Sequence, residues 1–131
     1  MRLAIPLGVL LLFGCGESDG TRAEPLVYPG DFPVSQVVPD GSAALYFEVA
    51  GLQGGDTYTA TLVGPVDPAP GADFDLGVYR IFEPTPPNSL CNSFADGDDS
   101  CDFEAPGAVV YVEVLNLASL SDEFTLDITR P

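Results

Sequence analysis

Histidine, lysine and tryptophan are absent from this sequence of 131 residues. Without histidine and lysine, the chain lacks the commonest general base and both usual groups that activate a serine nucleophile. The absence of histidine also excludes the mixed cysteine and histidine sites that hold zinc in many small domains. A pair of carboxylates can hydrolyse glycosides, but among 20 acidic residues such a pair arises by chance. We therefore expect a protein that is not an enzyme.

Positive charge is scarce. The chain has four basic residues against 20 acidic ones, and its formal net charge is -16. Nucleic-acid binding depends on cations that displace condensed counterions, and anionic lipid head groups attract basic segments. The charge therefore excludes nucleic acid as a partner and predicts no electrostatic attraction to a membrane. Solubility accounts for the acidity, and the alternative is binding of divalent cations.

Long apolar runs are also missing, apart from the uncharged residues 3–13 that follow Arg2. A transmembrane helix needs about 20 apolar residues, so this run is too short to span a bilayer and is typical of an export signal. It ends in "LFGC", which resembles the lipobox of bacterial lipoproteins, with Leu12, Gly14 and Cys15 at its defining positions. The resemblance implies a signal peptide over residues 1–14 and a diacylglycerol group on Cys15. In the alternative interpretation, a signal peptide is cut elsewhere and Cys15 is incidental.

The residue after the anchor cysteine bears on localisation. In many Gram-negative bacteria an aspartate there retains a lipoprotein in the inner membrane, whereas this chain has Gly16. The resemblance therefore implies an exported protein that is lipid-anchored at the outer membrane or the cell surface.

The three cysteines are an odd number, which in an exported protein calls for an explanation. Lipidation of Cys15 supplies one, and leaves Cys91 and Cys101 as a pair in an oxidising compartment. Nine residues separate them, which fits neither a C-x-x-C redox motif nor a zinc knuckle. We predict a structural disulfide, and a reactive or metal-binding pair is the alternative.

Downstream of Cys15 the chain falls into two parts. Residues 15–33 are rich in glycine, proline and small polar residues and predict a flexible tether. Residues 34–131 show apolar and polar residues alternating with a period of two, which is typical of half-buried strands. The alternating runs, separated by glycine and proline turns, are "ALYFEVA", "TYTATLV", "FDLGVY", "VVYVEV" and "FTLDIT". They predict one all-β domain, an antiparallel β-sandwich of jelly-roll-like architecture.

Three elements in order resemble the bacterial pre-peptidase C-terminal domain, a small β-sandwich often appended to secreted peptidases. They are the strand residues Asp73, Asp75 and Leu76, the pair Cys91 and Cys101, and Gly107 leading to Tyr111 and Val112. The resemblance covers residues 34–130 and implies that this part is a PPC-like β-sandwich. Gly77 departs from the pattern, because the family prefers an aromatic residue there.

Two acidic clusters are candidates for binding calcium, which prefers several carboxylate and carbonyl oxygens. The clusters are Asp73 and Asp75, and the group Asp96, Asp98, Asp99 and Asp102. Neither matches the EF-hand pattern. In the alternative interpretation these carboxylates cap turn amides or lie at a solvated loop tip. Apart from calcium, we expect no cofactor.

These observations predict a monomeric, non-catalytic, lipid-anchored cell-envelope protein. Its domain serves as a binding module or a spacer and contacts an extracellular protein or polysaccharide. Without tryptophan, a platform for stacking sugars must come from Tyr28, Tyr46, Tyr79 or Tyr111. The alternative is a calcium-stabilised accessory or chaperone-like subunit of a separately encoded secreted hydrolase.

Overall fold

The computed structural model describes residues 20–28, 33–38, 44–64, 73–81, 88–95, 97–117 and 122–131. The predicted signal peptide and Cys15 lie outside these ranges. Regular structure in the described residues is β-strand throughout. The strands are β1 Leu26–Val27, β2 Val34–Val38, β3 Ala44–Val49, β4 Thr57–Val63, β5 Phe74–Tyr79, β6 Ser89–Ser93, β7 Asp99–Glu104, β8 Val110–Asn116 and β9 Asp122–Thr129. In the part of the chain with assigned structure, no helix has the length and hydropathy to cross a membrane.

The described strands form two sheets that pack face to face. Sheet A has five strands in the order β1-β3-β8-β5-β6, and sheet B has four in the order β2-β9-β4-β7. Every pair of neighbouring strands is antiparallel except β1 and β3, which run parallel. The predicted all-β sandwich is therefore confirmed.

The core lies between the sheets and is built from the apolar half of each alternating run. Phe47 on β3 and Phe74 on β5 both pack against Phe124 on β9, with ring centroids 6.2 Å and 5.8 Å apart. Burying such a side chain contributes about 1.5–3 kcal/mol, so these contacts hold sheet A to sheet B. Each of the five alternating runs corresponds to a strand of the structure.

Four strands, β1, β2, β6 and β7, are not among the five predicted runs. β1 has only two residues, and β6 and β7 are polar sequences, "SLCNS" and "DSCDFE". β7 contains Asp99 and Asp102, two of the carboxylates that the alternative interpretation places at a solvated loop tip. It pairs with β4 from Thr57↔Glu104 to Leu62↔Asp99, so a neighbouring strand rather than its own pattern makes it extended.

Residues 20–28, which lie inside the predicted tether of residues 15–33, pack on the sandwich. Tyr28 is 4% exposed and belongs to the core, and its hydroxyl accepts a hydrogen bond from the Ile128 amide at 3.0 Å. The same hydroxyl donates to Asp127 at 3.1 Å. Upstream, the Gly20 carbonyl accepts from the Tyr46 amide at 2.8 Å. Composition indicated a solvated linker, but one aromatic side chain and backbone pairing hold residues 20–28 on the sandwich.

The predicted disulfide between Cys91 and Cys101 is present. It joins β6, an edge of sheet A, to β7, an edge of sheet B, with 6.0 Å between the Cα atoms. Both cysteines pack against the core. The bridge therefore connects the two sheets along one side of the sandwich.

We expect replacement of both cysteines, C91A/C101A, to lower the free energy of unfolding by at most about 3 kcal/mol, because the bridge closes only a short loop. Thermal unfolding followed by circular dichroism measures the change. Reduced wild-type protein is the matched control and should show the same melting temperature as the variant. An unchanged melting temperature in both would contradict a stabilising role for the bridge.

Candidate functional site

The outer surface of sheet A carries most of the tyrosines. Of the five in the chain, Tyr28 and Tyr58 are in the core. Tyr46, Tyr79 and Tyr111 instead alternate with buried residues on β3, β5 and β8, and are half-buried. Three large aromatic side chains thus lie on the side of the sheet away from sheet B, where they do not contribute to the core.

Strand register places two glutamates between these tyrosines. Tyr46 on β3 is opposite Glu113 on β8, and Glu48 on β3 is opposite Tyr111 on β8. On the other side of β8, Tyr79 of β5 is opposite Tyr111. Directly opposite side chains on one face lie in contact. We call this group of Tyr46, Glu48, Tyr79, Tyr111 and Glu113 the tyrosine face.

Hydrogen bonds hold the side chains of the tyrosine face in place. The Tyr46 hydroxyl donates to Glu113 Oε2 at 2.6 Å, and the Tyr79 hydroxyl donates to Glu113 Oε1 at 3.4 Å. The Tyr111 hydroxyl donates to Glu48 Oε1 at 3.4 Å. All three phenols therefore use their proton within the face, and each carboxylate keeps lone pairs for a further donor.

Burial and these carboxylates raise the pKa of each phenol. Burial is the larger cause for Tyr46, whose pKa rises to about 12, and the hydrogen bond to Glu113 adds to it. Burial first, and then Glu113, raises the pKa of Tyr79. Burial and Glu48 do the same for Tyr111. The hydroxyls therefore stay protonated donors at any physiological pH.

Gly77 determines how Tyr79 lies. A Cβ atom on Gly77 would be 2.7 Å from both Cε2 and Oη of Tyr79, closer than real Cβ contacts. The tyrosine side chain thus lies back along β5 over Gly77, towards Glu113, in the space that any other residue would fill. A glycine inside a strand weakens it and often marks such a close approach. The resemblance to the pre-peptidase family had singled out Gly77 as a departure, and here an aromatic ring from two residues away covers that position.

The predicted calcium residues lie in several different settings. Asp99 is 1% exposed and faces the core from β7, and its Oδ1 accepts from Ser93 Oγ at 2.5 Å and the Ala95 amide at 2.8 Å. Asp102 lies on the exposed side of β7 and accepts from Thr59. Asp98 accepts from the Gly64 amide. Asp75 lies on the outward side of β5, and Asp96 is outside the described residues.

The described residues include no group of three or more acidic, cysteine or histidine side chains arranged to hold a metal ion. Two carboxylate oxygens are nevertheless buried without a hydrogen-bond partner in that part of the chain, Asp73 Oδ1 and Asp99 Oδ2. Both lie at the same end of the sandwich. β5 and β6 are antiparallel, and Leu76 pairs with Ser93. Asp73, before Leu76, and Ala95, after Ser93, are therefore at the same end of this strand pair, and Ala95 is bound to Asp99.

Comparison with known proteins finds neighbours in structure but none in sequence. No family model and no curated protein matches the chain. The pre-peptidase C-terminal domain of a Bacillus anthracis collagenase superposes with a TM-score of 0.63 at 11% identity, covering 81% of this chain and 95% of that one. The surface-associated copper-binding protein CorA of Methylomicrobium album BG8 gives 0.59 at 10% identity, covering 82% and 98%. The Aeromonas hydrophila inhibitor PliG, a periplasmic inhibitor of g-type lysozyme, gives 0.56 at 13%, covering 81% and 96%.

At these identities the likeness shows the fold alone. That fold agrees with the sandwich expected from the pre-peptidase resemblance, whose domain is among the neighbours. It assigns no ligand and no site residue to this chain.

Sequence reasoning found the tyrosines but missed the glutamates. The structure brings the predicted stacking residues Tyr46, Tyr79 and Tyr111 to one face, whereas Tyr28 is in the core. The missed signal was Y-x-E, which occurs as "YFE" on β3 and "YVE" on β8. Residues two apart share a face of a strand, and antiparallel pairing then sets each tyrosine opposite a glutamate.

The raised pKa of Tyr46 predicts an alkaline dependence of stability. The neutral phenol is favoured in the folded state, so its contribution is complete below pH 10.0 and is lost as pH rises from there towards about 12. We expect unfolding free energies, measured with denaturant across this range, to fall less steeply in Y46F. Tyrosinate absorbance of the folded protein should show one late-ionising phenol fewer in Y46F than in the wild type, because Tyr28, whose pKa is also raised to about 12, remains in both proteins. A parallel fall in both proteins would contradict the assignment.

Proposed function

We propose that the chain is an exported, non-catalytic binding module, anchored by lipid on Cys15, that contacts an extracellular protein or polysaccharide through the tyrosine face. The observation that supports this most is the placement of three tyrosines and two glutamates on the outer side of one sheet. Tyrosine has an apolar ring that a partner can bury and a hydroxyl that can form a hydrogen bond. Such residues are enriched at binding surfaces.

The dimensions of the face fit an anchor point within a larger contact. Three neighbouring strands and two positions along each cover about 10 Å by 7 Å. This accommodates one planar side chain or one sugar ring. A small cluster of fixed aromatic groups at the centre of a contact is typical of binding hot spots.

Two observations support a non-catalytic role, namely the side chains that the sequence lacks and the descriptions of the structural neighbours. No histidine or lysine is present to act as a general base or to activate a nucleophile. The structural neighbours include a lysozyme inhibitor and a copper-binding surface protein, both described by what they bind. Periplasmic or surface location in those neighbours also supports export of this chain.

The packing of residues 20–28 on the sandwich limits how far the domain can lie from Cys15. The folded part reaches back to Gly20, only five residues after Cys15. A chain of that length extends at most about 18 Å. A lipid on Cys15 would therefore hold the sandwich next to the membrane surface, rather than projecting it on the longer linker expected from composition.

We expect mass spectrometry of protein from its native membrane to find the amino terminus at Cys15, with acyl chains on it. The variant C15A should lose the acyl mass and keep residues 1–14, because in lipoproteins the leader is cut only before a lipidated cysteine. The C91A/C101A variant is the matched control and should keep the acyl mass. An unmodified Cys15 with an uncleaved leader would overturn the anchor.

Site-specific photo-cross-linking in the native envelope tests the binding surface. A photoreactive residue at Leu115, on the outer side of sheet A, should capture a discrete partner, while one at Thr59, on the outer side of sheet B, should not. Capture from Thr59 alone, or from neither position, would contradict the proposed surface.

A calcium-stabilised accessory or chaperone-like subunit of a separately encoded secreted hydrolase is the second candidate, favoured by the two buried carboxylate oxygens of Asp73 and Asp99 that lack partners. We expect millimolar calcium to raise the melting temperature of the wild type, since a ligand bound to the folded state stabilises it. D99N, which keeps the Oδ1 acceptor, should lose that shift, and D102N, which lies on the exposed side, should lose less of it. No shift with calcium would dismiss this candidate.

A further inference from the structure

The tyrosine face presents hydrogen-bond acceptors and aromatic rings. Its three phenol protons are donated to Glu48 and Glu113, and each of those carboxylates has lone pairs left. A complementary group supplies donors, carries positive charge and has a flat surface for stacking. The guanidinium of arginine has five donors in a plane and no acceptor.

Among the described residues, Arg130 lies against a tyrosine ring and a carboxylate. The guanidinium carbon of Arg130 lies 5.6 Å from the ring centroid of Tyr58, and its Nη2 forms an ion pair with Asp56. A tyrosine ring and a carboxylate thus retain an arginine although the pair is partly exposed. The tyrosine face also sets tyrosines beside carboxylates across the strand pair β3 and β8, with the difference that its phenols donate to those carboxylates.

Charge selects the same partner. With a net charge of -16 and no lysine, the chain attracts basic surfaces from a distance and repels acidic ones. Arg22, exposed on the segment before β1, already lies near enough to Tyr46 to oppose the rise in its pKa.

We propose that the tyrosine face binds an arginine side chain on a basic extracellular protein, with the guanidinium stacked on Tyr79 or Tyr111 and hydrogen-bonded to Glu113 or Glu48. This rests on the proposed binding function and specifies its partner as a protein with exposed arginine. Lysine fits less well, because its ammonium is a point charge that neither stacks nor forms a planar fork.

The test uses the full-length protein and three probes, namely a tetra-arginine peptide, a tetra-lysine peptide of equal charge, and a neutral glucose oligosaccharide. Titration calorimetry gives affinities, and chemical shifts of the tyrosine rings report the location. We expect the arginine peptide to bind more tightly than the lysine peptide and to shift Tyr46, Tyr79 and Tyr111. The oligosaccharide should leave these signals unchanged.

Matched variants distinguish binding at the tyrosine face from general attraction between the acidic protein and a basic peptide. E113Q and D102N each remove one negative charge, the first on the tyrosine face and the second on the outer side of sheet B. We expect E113Q to weaken arginine-peptide binding about fivefold, and D102N to change it less than about twofold. G77A changes no charge but displaces the Tyr79 ring, and it should weaken binding while the circular dichroism spectrum stays native.

Equal affinity for the two peptides, with D102N as damaging as E113Q, would overturn the proposal in favour of non-specific attraction. Binding of the oligosaccharide at the three tyrosines would overturn it in favour of a glycan. Either result leaves the anchored binding module standing if the Leu115 cross-linker still captures a partner. Failure of that capture would remove the proposed function itself.

Discussion

The pairing of β8 with β3 and β5 is the constraint on which the rest of the structure depends. β8 is the central strand of sheet A, and its register turns Val110, Val112 and Val114 into the core. The same register turns Tyr111 and Glu113 outward. A slip of one residue would exchange the two sets and expose three valines while burying a glutamate, which is costly without a partner. Core packing and the tyrosine face are thus enforced by one alignment.

The sides of the sandwich are closed by polar and covalent contacts rather than by apolar packing alone. On one side, Cys91 and Cys101 join β6 to β7, and Asp99 binds the Ser93 hydroxyl two residues further along. On the other side, the Tyr28 hydroxyl satisfies the Ile128 amide. Unpaired backbone donors are expensive to bury, so an aromatic ring with a polar tip suits an edge where strand pairing stops.

The features of the tyrosine face fit the recognition that we propose for it. Phenols of raised pKa donate to carboxylates that remain able to accept more, and a glycine lets one ring lie against the sheet. Side chains that are already oriented lose little conformational entropy when a partner arrives, which is how rigid tyrosines contribute to binding. The structural neighbours put the same sandwich to different uses, in keeping with function residing in surface residues and not in the fold.

Alternation with a period of two is a local property, and the sequence by itself determined the five regular strands, the all-β class, the availability of a cysteine pair and the absence of histidine and lysine. Local pattern could not reveal that Tyr28 leaves the predicted tether for the core, or that the polar "DSCDFE" becomes a strand, because both depend on partners far along the chain. The tyrosine face was likewise decided only by tertiary structure. The two Y-x-E sequences indicate which residues share a side of each strand. Only the antiparallel pairing of two strands more than 60 residues apart places Tyr46 opposite Glu113 and Tyr111 opposite Glu48.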